Sequence, residues 1–181
     1  MNAMEHTRRT NTIINKNTYE DDDSSGSDSS SHSSTIFLSP SEPINKTYIL
    51  FFDGCSKGNP GRAGCGAVIY VMNNEKYKEI WVGSEFVGDL QTNNYAEYRG
   101  LLLGLNKAVD MGIKQLIVKG DSILVVRQMM GIYDIFSENL IHCYKKCKEL
   151  EKLFVTIEYQ HIYRTENQRA DKLAYQIVRN F

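Results

Sequence analysis

The chain lacks any run of 18 or more apolar residues, and its N-terminus has no apolar core of the kind found in a secretory signal. A membrane-spanning helix needs about 20 such residues. The sequence therefore predicts no membrane segment and an intracellular protein, cytoplasmic or nuclear. Also missing is a Cys-x-x-Cys pair. The four cysteines, Cys55, Cys65, Cys143 and Cys147, complete no zinc spacing and read as reduced thiols, with Cys143 and Cys147 on one face of a helix. Nor does one sign of charge dominate: 21 basic and 22 acidic side chains leave a formal net charge of -1. That balance hides an asymmetry, because residues 1–46 hold four Lys/Arg and seven Asp/Glu, leaving 17 basic and 15 acidic residues downstream. The small basic excess permits a polyanionic partner without requiring one.

What is present suffices for one domain with a core, since 41% of the 181 residues are hydrophobic. Residues 1–46 contain an acidic run, residues 20–23, and a stretch in which eight of the eleven residues 24–34 are serine. Such a composition cannot bury enough apolar surface to offset its ordering entropy, so this segment is expected to be a disordered tail. A solvated extension and a phosphorylatable or partner-binding arm are its two readings. From Thr47 the character changes. Residues 48–52 form a continuous apolar run ending at Asp53 and a glycine-rich turn, residues 54–61. Residues 67–71 and 77–82, separated by Asn73 and Asn74, read as two further antiparallel strands.

Residues 94–108 carry Tyr95, Tyr98, Leu102 and Leu105 at spacings of three and four, with Asn93 or Asn94 as N-cap and Gly112 as stop. This predicts an amphipathic helix. A strand over residues 115–120 delivers Asp121; helices follow over 122–130 and 138–153, then a strand over 155–163 and a terminal helix from Asn167. The order βββαβααβα predicts an α/β fold with a mixed five-stranded sheet, three antiparallel strands followed by parallel additions, and helices on both faces.

Asp53 and Asp121 follow apolar strands, and Glu97 and Asp171 lie in the expected first turns of helices. Side chains at such element ends can converge on one point outside a sheet. Any one carboxylate alone is most simply a solvated surface group. Asp53 resists that reading, because an acid closing a five-residue apolar run sits at the core margin and needs a partner. Several carboxylates near a core repel one another unless cations neutralise them, and Mg²⁺ prefers oxygen ligands. Two such ions about 4 Å apart can hold the attacking water and departing oxygen of a phosphoryl displacement. The expected chemistry is phosphodiester hydrolysis.

Four blocks carry a resemblance over residues 47–181: Phe52-Asp53-Gly54 with Gly58-Asn59-Pro60-Gly61; Thr92-Asn93-Asn94-Tyr95-Ala96-Glu97; Gly120-Asp121-Ser122; and Arg164 with Asn167-Gln168-Arg169-Ala170-Asp171. In this order and spacing they resemble the type 1 ribonuclease H family in its short archaeal-like and plant-like form, without a hybrid-binding module. The resemblance implies an endonuclease that cleaves the RNA strand of RNA/DNA hybrids with two Mg²⁺ ions, or Mn²⁺, leaving 3′-hydroxyl and 5′-phosphate ends. It makes Asp53 the ligand of both ions, with Glu97 and Asp121 completing one site and Asp171 the other. Gly54, Asn59, Asn93, Asn94, Ser122 and Asn167 fall at substrate-contacting positions. For the asparagines this is physically sensible, since amides both donate to and accept from the 2′-OH that distinguishes RNA from DNA.

Two departures stand out. Where many bacterial relatives place a histidine, this chain has Arg164, which cannot act as a base near neutral pH and is expected to stabilise phosphate charge. His161 is the substitute candidate, and Glu166 reads as a helix-entry acid. Secondly, the connection over residues 131–137 has no Lys or Arg, so the basic, Trp-rich protrusion of bacterial relatives is missing. Lys57, Arg62, Lys145, Lys146, Arg164 and Arg169 become the candidates for phosphate contacts. A monomer is expected. The competing functions are a catalytically idle nucleic-acid-binding module, which losing a ligand would betray, and a DNA-acting superfamily nuclease, which the paired asparagines and single-domain length oppose.

Overall fold

The computed structural model describes residues 46–74 and 76–180. The predicted tail, apart from Lys46, lies outside the described residues. Ten elements follow in order: β1 (Thr47–Gly58), β2 (Gly61–Asn73), β3 (Lys76–Gln91), α1 (Asn93–Asp110), β4 (Gln115–Gly120), α2 (Ile123–Met129), α3 (Glu138–Glu151), β5 (Thr156–His161), a 3₁₀ turn (Arg164–Glu166) and α4 (Gln168–Asn180). The strands form one mixed sheet in the order β3-β2-β1-β4-β5. β1 pairs antiparallel with β2, and β2 with β3, while β1–β4 and β4–β5 are parallel. The expected α/β class and mixed five-stranded sheet are found.

Helices cover both faces, and small residues decide where they press closest. Leu50, Phe52, Ala67 and Ile69 share a buried cluster with Tyr98, Leu101 and Leu105 of α1 and with Leu140, Cys143 and Cys147 of α3. Alternation along β2 turns Gly64 and Gly66 to the other face. A Cβ on either would run into Leu173, Ala174, Ile177 or Val178 of α4. The four cysteines are free. Among the described residues no helix is long and apolar enough to cross a membrane.

Several boundaries differ from expectation, three of them near the carboxylates. The glycine-rich segment after Asp53 is not a turn: β1 continues to Gly58 and pairs with β2 from Gly61 onward, so Asp53 lies within a strand opposite Gly66. The expected turn over residues 54–61 shrinks to Asn59 and Pro60, because α1 presses on Gly54 and residues 54–58 find partners along β2. β3 likewise runs beyond Val82 to Gln91 because β2 offers a partner along that length. Thr92, rather than Asn93 or Asn94, caps α1, its hydroxyl accepting from Tyr95 N at 3.3 Å. Glu97 therefore falls in the second helical turn.

Candidate active site

Four polar or charged residues are buried among the described residues: Asp53, Glu97, Gln128 and Asn167. Gln128 has local partners, accepting from the Tyr98 hydroxyl at 3.0 Å and donating to Asp134 O at 3.0 Å. The other three gather at one place, where β1, β4, α1 and α4 meet. Buried polar groups without such satisfaction are rare, so their convergence marks the site.

Each carboxylate is seated by backbone geometry. The parallel register aligns Phe52 with Gly120, so the following residues, Asp53 and Asp121, emerge side by side from neighbouring strands. α1 crosses β1 so closely that a Cβ on Gly54 would strike the backbone of Ala96 and Glu97, and one on Gly100 would strike the Asp53 carbonyl. This approach, available only to glycine, brings Glu97 onto Asp53. One oxygen from each of Asp53, Glu97 and Asp121 lies within 4.8 Å of the others. Asp171, in the first turn of α4, stands outside that trio and is paired with the Arg164 guanidinium.

The electrostatics follow from burial. Asp53 is 4% exposed and Glu97 5% exposed. Desolvation, then the charges of Asp121 and Asp171, push Asp53 up to about 8, against a smaller opposing pull from Arg164. Burial and the neighbouring charges of Asp53 and Asp121 hold Glu97 well above the usual carboxylate range. Glu97 Oε1 accepts from Asn93 Nδ2 at 3.4 Å, but Oε2 is buried with no hydrogen-bond partner. Leaving a buried anion uncompensated costs several kcal/mol. An all-oxygen donor set with an orphaned lone pair fits a hard divalent cation, Mg²⁺ or Mn²⁺, and does not fit a soft one.

The remaining predicted residues separate into a surface group and a buried one. Asn59 and Asn94 are exposed and Asn93 half-buried, on the side where α1 begins. Asn59 Oδ1 accepts from Asn93 N at 3.1 Å, and Asn93 Oδ1 accepts from Ser56 N at 3.2 Å, which ties the β1–β2 hairpin to the helix start. Ser122 caps α2, accepting from Val125 N at 3.4 Å. Gly54 is buried beneath α1. Asn167, expected to touch substrate, is 1% exposed and donates its amide to Phe52 O and to Asp121 Oδ1, both at 2.8 Å. His161 is exposed, with Nε2 3.3 Å from Asp121 O. Glu166 caps its own turn, accepting from Tyr163 N at 3.0 Å, as a helix-entry acid should.

The candidate phosphate contacts are scattered. Arg62 pairs with Asp89 at 3.3 Å, and Arg169 binds both oxygens of Glu79 at 3.0 and 3.1 Å. Lys57 lies 5.9 Å from the Tyr175 ring centroid, while Lys145 and Lys146 line a groove beside α1 and α3. Only Arg164 of the six reaches the carboxylates. The pairing of Asn167 with Phe52 and Asp121 carries no signal in sequence beyond its place in the last motif, because it joins segments far apart in the chain, whereas Arg164 and Asp171 are local to that motif.

A mixed sheet in this order, with acids from β1, α1 and the end of β4 converging beside α4, defines a ribonuclease H-like fold bearing a carboxylate site. A family model described as reverse transcriptase-like matches residues 51–177. The N-terminal RNase H domain of Rv2228c from Mycobacterium tuberculosis aligns with a TM-score of 0.70 at 36% identity, covering 74% of this chain and 94% of that one. RNase H1 of Halobacterium salinarum NRC-1 aligns at 0.69 and 32% identity, over 75% of this chain and 99% of that one. LC11-RNase H1, solved in complex with an RNA/DNA hybrid, aligns at 0.67 and 31% identity, over 74% and 98%. The chain belongs to the type 1 ribonuclease H family. Against the full-length bifunctional Rv2228c, identity is 39% over 126 residues, 70% of this chain and 34% of the relative, so the chain spans about a third of that protein.

Proposed function

We propose that residues 47–181 form a metal-dependent endonuclease that hydrolyses the RNA strand of RNA/DNA hybrids to 3′-hydroxyl and 5′-phosphate ends. The observation that carries this reading is the trio of Asp53, Glu97 and Asp121, the first two buried and the third half-buried, with Glu97 Oε2 left without a partner. Family membership and the hybrid held by LC11-RNase H1 support the substrate. Asp53, Glu97 and Asp121 would hold one Mg²⁺ or Mn²⁺ ion, and Asp171 with Asp53 the other. Such ions supply Lewis acidity that activates the attacking water and neutralises the departing oxygen.

The chain's own groups do the rest. Arg164, 77% exposed beside Asp171, offers a permanent positive charge to the phosphate and takes no proton. Its contact with Asp171 keeps it at the rim of the cluster. The exposed amides of Asn59 and Asn94, with Asn93 behind them, face outward where a minor groove would lie, able to donate to and accept from a 2′-OH. The short loop between α2 and α3, without basic residues, leaves grip on the phosphates to dispersed charges, so binding is salt-sensitive.

The test is cleavage of labelled RNA/DNA hybrid, double-stranded RNA and double-stranded DNA by the full chain with Mg²⁺ or Mn²⁺. Cutting of the RNA strand of the hybrid is expected. Cutting of DNA alone would overturn the reading.

A further inference from the structure

Asn167 does something that no substrate contact requires. Its side chain lies beneath the carboxylates, and both acceptors of its amide belong to the site's framework: Phe52 O, immediately before Asp53, and Asp121 Oδ1. The orientation of the amide is determined by chemistry, because a flipped group would turn its oxygen onto two other oxygens. The oxygen end is buried with no partner. The main chain of the same residue accepts from Asp171 N at 3.1 Å and donates to Arg164 O at 3.1 Å. One residue thus connects the strand of Asp53, the carboxylate of Asp121, the first turn that carries Asp171 and the turn that carries Arg164.

We propose that Asn167 is a positioning residue that fixes the Asp121 carboxylate, and with it the spacing between Asp121 and Asp171, rather than a group that touches nucleic acid. The inference rests on the cation-site reading above. An anionic carboxylate next to Asp53 and Glu97 is pushed away by like charge, and the amide supplies a donor that holds it in place. Outer partners of this kind typically change metal affinity 10- to 100-fold when removed. Because the amide sits under the carboxylate and not on the open face, its loss should leave substrate affinity alone.

Calorimetric titration of Mn²⁺ into the full chain tests this without turnover. Asn167→Ala is expected to weaken Mn²⁺ binding roughly tenfold or more, and to lower kcat on the hybrid with KM unchanged. Asn167→Leu, which has asparagine's branching and number of side-chain heavy atoms but no donor, should do the same and keeps the test informative if the alanine variant packs poorly. In an Asp121→Asn background the Asn167 substitution should change Mn²⁺ affinity by less than about twofold, since the group it acts through is already altered. A raised KM with unchanged Mn²⁺ affinity would make Asn167 a substrate contact and overturn the proposal. A full loss of affinity recurring in the Asp121→Asn background would overturn it too, by showing a general structural role. A chain that binds Mn²⁺ in this pattern yet cuts no hybrid would sink the proposed activity and leave the positioning role standing.

Discussion

Asp53 and Glu97 are almost fully buried and paired with no Lys or Arg among the described residues, whereas Asp171, at the rim of the same cluster, has the guanidinium of Arg164 against it. The inner pair carries the cost of uncompensated charge, and its affinity for protons is raised accordingly. The outer acid is solvated and already neutralised. The difference teaches that the cluster is not one uniform acidic patch: its inner half has no basic partner among the described residues, and its outer half is balanced by Arg164.

The largest effect expected from breaking this contrast is at Asp53. Asp53→Asn should cut hybrid cleavage by roughly a thousandfold or more, on the scale of removing a preorganised electrostatic group, while the fold survives. Activity assays with circular dichroism check both halves. Retained activity would show that the inner pair is not the site.

Next in size is a pH effect on stability in the presence of chelator. With a folded pKa of about 8 for Asp53 and an unfolded value near 4, the native state binds a proton that the unfolded state has lost. Stability therefore falls as pH rises between about 4 and 8, by up to about 1.4 kcal/mol per pH unit for each such proton. Glu97, shifted in the same direction, adds to the slope. Thermal melts should show Tm dropping across this window. Asp53→Asn should flatten the slope and raise Tm at pH 8. An unchanged slope would mean that Asp53 is not held protonated by its surroundings.

Smaller changes are expected on the outer half. An exposed charge contact is worth about 1 kcal/mol, which converts to roughly fivefold in kcat/KM. Arg164→Ala should lower hybrid cleavage by about that factor and leave the melting curve nearly unmoved. A fall as deep as that of Asp53→Asn would erase the distinction between the halves. Smallest of all, deletion of residues 1–46 is expected to leave kcat unchanged, as the proposed domain limits require; a large drop in rate would show that the segment shapes the site.

Much of this was readable from residues alone, and the reasons differ by element. The apolar run before Asp53 and the three-and-four spacing from Tyr98 to Leu105 report local burial, so β1 and α1 were legible. The strand pairing of residues 54–58 was not, since the glycine-rich segment 54–61 reads as a turn until α1 is seen packed on Gly54 and β2 paired alongside. The four acids could be named from their motifs. Their unequal roles could not, because burial of Glu97 and the amide of Asn167 under Asp121 depend on contacts between distant segments, and the local pairing of Asp171 with Arg164 is set by how the turn at Arg164 meets α4.

The most direct test of the account is a Mn²⁺ titration of the intact chain and of Asp53→Asn at pH 8, followed by calorimetry. The account predicts saturable binding in the first and its loss in the second with the fold preserved. Equal affinity in both would contradict the claim that the buried carboxylates are the cation site.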